Sequence, residues 1–207
     1  MNILLSSVGR RSYLVRYFQK ALAGRGLVIA SNSEANTAGM LAADHSFTVP
    51  QAGENGFIER LLEICQEFKV RILCSLHDWE APFIARASDE FHRLGVIPVV
   101  SSLPVLDTCL DKYSTFEFGV HEGIRVPRTA LGLAEALKQL EDARLSYPLI
   151  IKPRRGQGSI CLETAYNEDE LRAACLLIQR KISRMESNRL LAKSGEENLI
   201  IQEYITG

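Results

Sequence analysis

The sequence predicts an α/β fold, in which a Rossmann-like parallel sheet is followed by an α+β domain. In the first half, short apolar runs alternate with amphipathic stretches, which is the order of a parallel sheet with crossover helices. In the second half, two apolar runs flank a glycine-rich turn, as in an antiparallel hairpin. The rhythm changes around Ser101 to Pro104, so we place one domain at residues 1–104 and another at residues 105–207.

Residues 1–104 are predicted to hold five strands and three helices. The strands are short runs that are apolar on both faces, as expected when helices cover both sides of a sheet. They are Ile3 to Val8, Leu27 to Ala30, Phe47 to Val49, Ile72 to Leu76 and Val96 to Val100. The helices carry apolar residues at helical spacing. They are Arg11 to Ala23, Phe57 to Phe68 and about Glu80 to Leu94.

Residues 105–207 are predicted to be α+β. The helices are Val105 to Leu110, Lys112 to Glu122, Leu133 to Ala143 and Glu168 to Ile182, and the strands are Leu149 to Lys152, Ser159 to Thr164 and a final run from Leu199. Ile124 to Thr129 is predicted to be an extended link, because a proline disfavours helix at the residue before it. The polar stretch from about Arg184 to Asn198 predicts a mobile surface loop.

The composition is that of an ordinary globular protein and excludes several classes. In 207 residues, 24 Lys and Arg face 25 Asp and Glu, so the net charge of −1 gives no support for nucleic-acid binding over a broad basic surface. No run approaches the ~18 apolar residues of a membrane span. The five cysteines form no C-x-x-C pair, which argues against a disulfide framework or a zinc site. The apolar run at the N-terminus is too short for a signal peptide, so we expect a cytoplasmic protein without nucleic-acid or membrane partners.

The turn after the first strand, Ser6 to Arg11, is the first candidate site. In parallel α/β sheets ligands bind at the carboxyl ends of the strands, where helix N-termini favour anions. Gly9 would allow close approach, and Arg10 and Arg11 would supply charge. The turn has a single glycine rather than G-x-G-x-x-G, so a tight turn with two solvated arginines is an equally good interpretation.

The segment Ser75 to Glu80 is the second candidate and also follows a strand. It brings His77, Asp78, Trp79 and Glu80 to the edge where such folds bind substrates. The alternative is helix capping, with Asp78 before a helix and Glu80 in its first turn.

The third candidate runs from Lys152 to Ser159. A lysine ends an apolar strand, a proline follows, and then comes a Gly-x-Gly-Ser turn. Glycines leave backbone N–H groups open to phosphate oxygens, and a lysine adds positive charge beside them. This is not a Walker A loop, in which the lysine follows the last glycine. Taken alone, the segment is also compatible with a plain hairpin turn.

Motifs on either side of this turn complete a recognisable order. Asp111-Lys112-Tyr113-Ser114-Thr115 lies upstream, Gln202-Glu203-Tyr204-Ile205 lies downstream, and Arg125-Val126-Pro127-Arg128 falls between the two lysines. This order resembles the ATP-grasp superfamily, in particular its branch similar to the carbamoyl phosphate synthase large subunit. Residues 1–104 resemble the pre-ATP-grasp domain, and residues 105–207 resemble the first ATP-grasp subdomain.

The resemblance implies roles for individual residues. Lys112 and Lys152 are expected to contact the phosphates of the nucleotide. The loop expected to close over the phosphates consists of Gly156, Gly158 and Ser159. The hinge expected at the nucleoside consists of Glu203, Tyr204 and Ile205. A share in the substrate site is expected of Arg10, Arg11, Asp78 and Glu80. Two features depart from the family pattern, namely Cys161 after the glycine turn and the cationic pair Arg154 and Arg155.

The function implied is that of the amino-terminal part of an ATP-dependent carboxylate-amine or carboxylate-thiol ligase. In the family reaction a carboxylate attacks the γ-phosphate and gives an acylphosphate, which a nucleophile then captures. ATP and Mg²⁺ are the expected cofactors, with the metal ligands in a second subdomain that would follow Gly207. We therefore expect a fragment or a natural truncation that does not catalyse alone, a small carboxylate as substrate, and a homodimer as one option for assembly. The alternative is a non-catalytic Rossmann-like binding or interaction module.

Overall fold

The computed structural model describes residues 1–184 and 198–206. The chain divides into two compact units, Met1–Leu106 and Asp107–Gly207. No helix in the described residues is long and apolar enough to span a bilayer. The predicted mobile loop falls almost entirely on residues 185–197, which lie outside the described residues.

The first unit is a five-stranded parallel sheet with helices. Its elements are β1 (Asn2–Ser6), α1 (Ser12–Leu22), β2 (Val28–Asn32), α2 (Ala38–Ala42), β3 (His45–Thr48), α3 (Phe57–Glu67), β4 (Val70–Ser75), α4 (Ala81–Arg86), α5 (Ser88–Arg93) and β5 (Ile97–Pro98). The strand order is β3-β2-β1-β4-β5, and every pair is parallel. Because the strands β1 and β2 are apolar at successive positions, the sheet has a core on each face: Leu4 and Ile29 belong to one cluster, and Leu5 and Ala30 belong to the other.

The second unit is built on a four-stranded antiparallel sheet. Its elements are α6 (Leu103–Cys109), which begins before the division, α7 (Lys112–His121), β6 (Thr129–Leu131), α8 (Gly132–Glu141), β7 (Leu149–Pro153), β8 (Glu163–Ala165), α9 (Glu168–Arg184) and β9 (Leu199–Glu203). The strand order is β6-β9-β7-β8. The apolar core lies on one face of this sheet, where residues such as Leu149, Ile151 and Ile201 pack with Leu171 and Ile178 of α9.

The predicted fold class, a parallel α/β sheet followed by an α+β unit, is confirmed. Two element predictions are wrong. The single helix predicted from Glu80 to Leu94 is divided at Ala87, whose ψ of 9° ends α4 and precedes α5. The apolar pattern could not show this break, because Ile84 and Phe91 of the two helices pack into the same core.

The second error concerns the strand predicted from Ser159 to Thr164. Strand β8 begins only at Glu163, because Ser159 and Cys161 have left-handed φ angles of 56° and 60°, which an extended strand cannot contain. The connection from β7 to β8 is therefore a longer turn than a tight hairpin. Two short elements, α2 and β6, were not predicted.

The packing of α7 gives a first testable prediction. A Cβ atom at Gly119 would lie 2.5 Å from Cγ1 of Val126, and this branched side chain has little freedom to yield. Gly119→Ala should therefore lower the free energy of unfolding by about 1–2 kcal/mol in urea titrations. Adding Gly119→Ala to a Val126→Ala protein should cost much less free energy of unfolding than adding it to the wild type, because the clashing side chain is then gone. A more stable Gly119→Ala protein would show that the gain in helix propensity, about 1 kcal/mol, outweighs the clash.

Candidate functional site

A buried carboxylate joins two loops at the carboxyl edge of the parallel sheet. Glu80 is 4% exposed. Its Oε1 accepts hydrogen bonds from the hydroxyls of Ser6 and Ser7, at 3.1 and 2.6 Å, and its Oε2 accepts one of 2.7 Å from Ser75. The hydroxyl of Ser31 in turn donates to Ser6 Oγ. Glu80 thus ties the ends of β1 and β4 together.

The loop after β1 uses its own polar groups within the protein. The backbone N–H of Val8 donates to Ser31 O, that of Gly9 donates to Asn32 Oδ1, and Arg11 Nη1 donates to Ser7 O at 3.3 Å. Ser7 has a φ of 52°, a conformation that is uncommon for a residue with a side chain. Arg10 is exposed. The loop is therefore a firmly held turn that presents one solvent-facing arginine.

The structure separates the residues of the second candidate segment. Asp78 is exposed and lies in a turn, while α4 begins at Ala81 after Glu80. The interpretation of Asp78 as the helix cap is therefore wrong. Glu80 is engaged by three hydroxyls, whereas Asp78 faces solvent, so the two carboxylates are in very different environments. Their predicted contact with substrate stays a prediction.

In the second unit, a row of polar side chains lies on the sheet face opposite the apolar core. Alternation along the strands places Lys152, Gln202 and Thr129 on this face. Lys152 Nζ donates to Gln202 Oε1 at 2.7 Å, and Gln202 Nε2 donates to Thr129 Oγ1 at 2.8 Å. Three strands are thus joined by a chain of hydrogen bonds that ends on the ammonium group of Lys152.

The second predicted lysine is held close to the glycine segment. Lys112 is the first residue of α7, and its Nζ donates to the carbonyl oxygen of Gly156 at 2.8 Å. Burial, and then the positive charge of Lys152, lower the pKa of Lys112, and the nearby Asp111 opposes this. Burial also lowers the pKa of Lys152. The fold therefore brings together two ammonium groups that are 40 positions apart in the sequence.

Asp111 organises the cations around this site. It is 1% exposed and caps α7, since its Oδ1 accepts from the backbone N–H groups of Tyr113 and Ser114. Arg154 Nε donates to both of its oxygens, at 2.7 and 2.8 Å, and Arg155 Nη2 reaches Oδ2 at 3.2 Å. Burial alone would raise the pKa of Asp111, but the hydrogen bonding of Arg154, the capping bond from Ser114 and the charges of Arg154 and Arg155 lower it overall.

Backbone hydrogen bonds fix this cluster to the sheet. The N–H of Lys112 donates to Arg154 O at 3.0 Å, and the N–H of Arg154 donates to Asn198 O at 2.8 Å. The start of α7, the end of β7 and the residue before β9 are therefore linked. The two arginines, expected from the sequence to make the loop itself more cationic, instead both contact Asp111.

The glycine segment that follows is exposed and turns sharply. Gly156, Gly158 and Ser159 have φ angles of 128°, 68° and 56°, and all three residues face solvent. No atom lies within 4 Å of a Cβ added at Gly156. This segment has room for a ligand to approach its backbone at Gly156, and its predicted contact with phosphates stays a prediction.

The predicted hinge begins at the end of β9. Glu203 Oε1 accepts from Arg128 N at 2.9 Å, and Glu203 N donates to Arg128 O at 3.0 Å. Tyr204 N donates to Pro148 O at 3.3 Å, while the side chains of Tyr204 and Ile205 are exposed. The carboxylate of Glu203 thus has a partner within the protein, and the exposed hinge side chains are those of Tyr204 and Ile205.

Sequence reasoning missed the roles of Asp111, Arg154 and Gln202. An Asp immediately before a predicted helix is a capping signal, so the position of Asp111 could have been recognised. No local pattern pairs it with Arg154, which is 43 residues away. The contact between Gln202 and Lys152 depends on the register of β7 and β9, which the sequence did not specify.

Comparisons with known proteins support the predicted fold. Residues 3–100 match the family described as PylC-like, N-terminal domain. The chain is 23% identical over 210 residues to a pyruvate carboxylase subunit from Methanothermobacter thermautotrophicus, covering 98% of this chain and 40% of that protein.

Two solved structures show the likeness of fold. An L-amino acid ligase from Bacillus licheniformis has a TM-score of 0.70 at 19% identity over 99% of this chain and 46% of its own. The biotin carboxylase domain of Hydrogenobacter thermophilus 2-oxoglutarate carboxylase, a dimer solved with MgADP, ADP and bicarbonate, has a TM-score of 0.67 at 16% identity over 99% and 44%. The predicted resemblance is thereby confirmed at the level of the fold, and the chain spans less than half the length of these relatives. The narrower likeness to carbamoyl phosphate synthase stays a prediction.

The buried carboxylate gives a prediction about stability. Asp111→Asn retains a capping side chain but leaves Arg154 buried without an anion, so it should lower the free energy of unfolding by about 3 kcal/mol or more. The lowered pKa of Asp111 means that its stabilising contribution is present at neutral pH and is lost as pH falls through that folded-state value. Urea titrations should therefore show that the difference in free energy of unfolding between the wild type and Asp111→Asn becomes smaller in acid.

The matched control is Asp142→Asn, which removes an exposed ion pair with Arg144. It should cost less than about 1 kcal/mol. Equal losses for the two variants would mean that the charge of Asp111 does not stabilise the cluster.

Proposed function

We propose that this chain, which has the fold of the amino-terminal part of ATP-grasp enzymes, binds the polyphosphate of ATP through Lys112 and Lys152. The observation that carries the proposal is the convergence of these two ammonium groups, one on the sheet face opposite the apolar core and the other bonded to the glycine segment. One lysine comes from the start of a helix and the other from a strand. Two like charges are costly to hold together, and an anionic ligand would offset that cost.

The present partners of the two lysines support an exchange for phosphate. Lys112 contacts a backbone carbonyl and Lys152 contacts a side-chain amide. Within the described residues neither lysine forms an ion pair with a carboxylate. Hydrogen bonds between an ammonium group and an anionic oxygen are roughly twice as strong as those between neutral groups. A phosphate would therefore compete well for both ammonium groups.

The chemistry proposed for the whole protein is ATP-dependent ligation of a carboxylate. A carboxylate oxygen would bond to the γ-phosphorus while the bond from this phosphorus to the bridging oxygen breaks and ADP leaves. An amine or thiol would then displace phosphate from the acylphosphate. The lysines of this chain would hold the phosphates in position and balance their charge. The substrate carboxylate is proposed to contact the loops that carry Arg10 and Arg11 and Asp78 and Glu80.

Magnesium is not assigned to any residue of this chain. In the part of the chain that the structure describes, no group of three or more His, Cys, Asp or Glu side chains is arranged to hold a metal. The proposed task of these residues is to bind and orient the nucleotide. Glu203, Tyr204 and Ile205 are proposed to lie at the nucleoside, and Gly156, Gly158 and Ser159 at the phosphates.

Alanine substitution of the lysines tests this proposal. Lys112→Ala and Lys152→Ala should each weaken binding of ATP, measured by titration calorimetry on the 207-residue chain, by about tenfold or more, because each removes a charge-assisted hydrogen bond of about 1.5–3 kcal/mol. Lys138→Ala, which removes an exposed lysine of α8, is the control and should leave the affinity unchanged.

The outcomes separate the two candidate functions. Binding that responds to Lys112 and Lys152 but not to Lys138 supports a nucleotide site. A chain that does not bind ATP, or whose affinity is the same in all three variants, would favour the non-catalytic interaction module.

The pKa shifts of the lysines predict how binding depends on pH. Burial lowers both pKa values below the ordinary lysine value of 10.5, and the charge of Lys152 lowers that of Lys112 further. Phosphate favours the protonated form of both lysines. Affinity for ATP should therefore decline as pH rises through the lowered pKa values, earlier than an ordinary lysine would allow. In that alkaline range binding should take up protons, which calorimetry in buffers of different ionisation enthalpy measures. An affinity for ATP that stays constant as the pH rises to the ordinary lysine pKa would contradict a role for these ammonium groups.

A further inference from the structure

Two adjacent arginines share one carboxylate but have very different environments. Arg154 is 8% exposed and its Nε contacts both oxygens of Asp111. Its guanidinium carbon lies 5.4 Å from the centre of the Tyr113 ring, as in a cation–π contact. The backbone carbonyl of Arg154 also accepts from Lys112 N, and its N–H donates to Asn198 O. The contacts of Arg154 are therefore structural, because its side chain and its backbone both bond to other parts of the protein.

Arg155 retains unused donors. Its single contact with Asp111 is the longer one, 3.2 Å from Nη2 to Oδ2, and its side chain is 23% exposed. Its Nε is buried and has no hydrogen-bond partner in the described part of the chain. A buried N–H group without an acceptor is costly, so such a group in a native structure points to a missing partner. A guanidinium presents five donors in a planar fork that matches phosphate oxygens.

The position of Arg155 places this unused donor next to the proposed phosphate site. It directly precedes Gly156, whose carbonyl oxygen holds the ammonium of Lys112. Asp111 is also contacted by Arg154, so it does not neutralise Arg155 fully. Asp111 thus has Arg154, Arg155 and Lys112 around it, and Lys152 lies close enough to Lys112 to lower the pKa of that lysine.

We propose that Arg155 is a third phosphate-binding side chain, which turns toward the ligand while Arg154 keeps Asp111 in place. This inference rests on the proposed nucleotide function and deepens it, because three converging cations favour a ligand with several phosphates over a monophosphate. The exchange costs the cluster little, since Asp111 keeps its two hydrogen bonds from Arg154. The sequence pair Arg154-Arg155 thus divides into one structural residue and one ligand-binding residue.

The test compares Arg155→Gln, Arg155→Lys and the control Arg180→Gln, which removes an exposed arginine of α9. Calorimetry would measure the binding of ATP, ADP, AMP and inorganic tripolyphosphate to the 207-residue chain. Arg155→Gln should weaken ATP and tripolyphosphate by about tenfold or more, and should weaken AMP less. Arg155→Lys should recover part of the loss, because the charge remains while the fork is lost. Melting temperatures should change by only a few degrees.

Each outcome decides between the proposals. Unchanged affinity in Arg155→Gln, or an equal loss in Arg180→Gln, would overturn the role of Arg155 while leaving the lysine site intact. A large fall in melting temperature with unchanged affinity would overturn it as well, because Arg155 would then be structural. If the wild type binds tripolyphosphate but not ATP, and Arg155→Gln loses that binding, the phosphate-binding role of Arg155 would be supported and the nucleotide function refuted. A chain that binds neither would refute both.

Discussion

The hydrogen-bonded ion pair between Asp111 and Arg154 is the interaction on which the candidate site depends. Both side chains are buried, and removing water from two charges is costly unless each finds its partner in good geometry. Two short bonds from Nε and two capping N–H groups satisfy that requirement. Because Asp111 precedes Lys112 and Arg154 follows the strand that carries Lys152, the pair also fixes where both lysines stand.

This arrangement explains how a nearly neutral chain can present a strongly cationic site. The net charge of −1 excludes a broad basic surface but says nothing about local clustering. Neighbouring cations repel one another, and the pKa of Lys112 is lowered by burial and then by the charge of Lys152. The fold can withstand this electrostatic repulsion because the backbone hydrogen bonds of Lys112 and Arg154 hold the elements in place independently of the charges.

The sequence predicted the fold class and most elements because apolar periodicity is a local property. It failed where geometry depended on distant residues or on backbone conformation. The left-handed residues Ser159 and Cys161 delay β8, and the division at Ala87 is invisible to a periodicity that continues across it. For the candidate site, the order of motifs predicted the two lysines, whereas the pairing of Asp111 with Arg154 across 43 residues has no local signature.

Among the described residues two carboxylates are buried, and they indicate different chemistry in the two units. Glu80 is held by three neutral hydroxyls, which offer no positive charge to an anion. The nearby cation Arg11 donates to the carbonyl of Ser7, and Arg10 faces solvent. Asp111, in contrast, is outnumbered by cations. Electrostatics therefore favours the second unit for polyphosphate. At this edge of the first unit Arg10 is exposed, and the contact with a substrate carboxylate proposed for it would need one guanidinium rather than the several cations that a chain of phosphates favours.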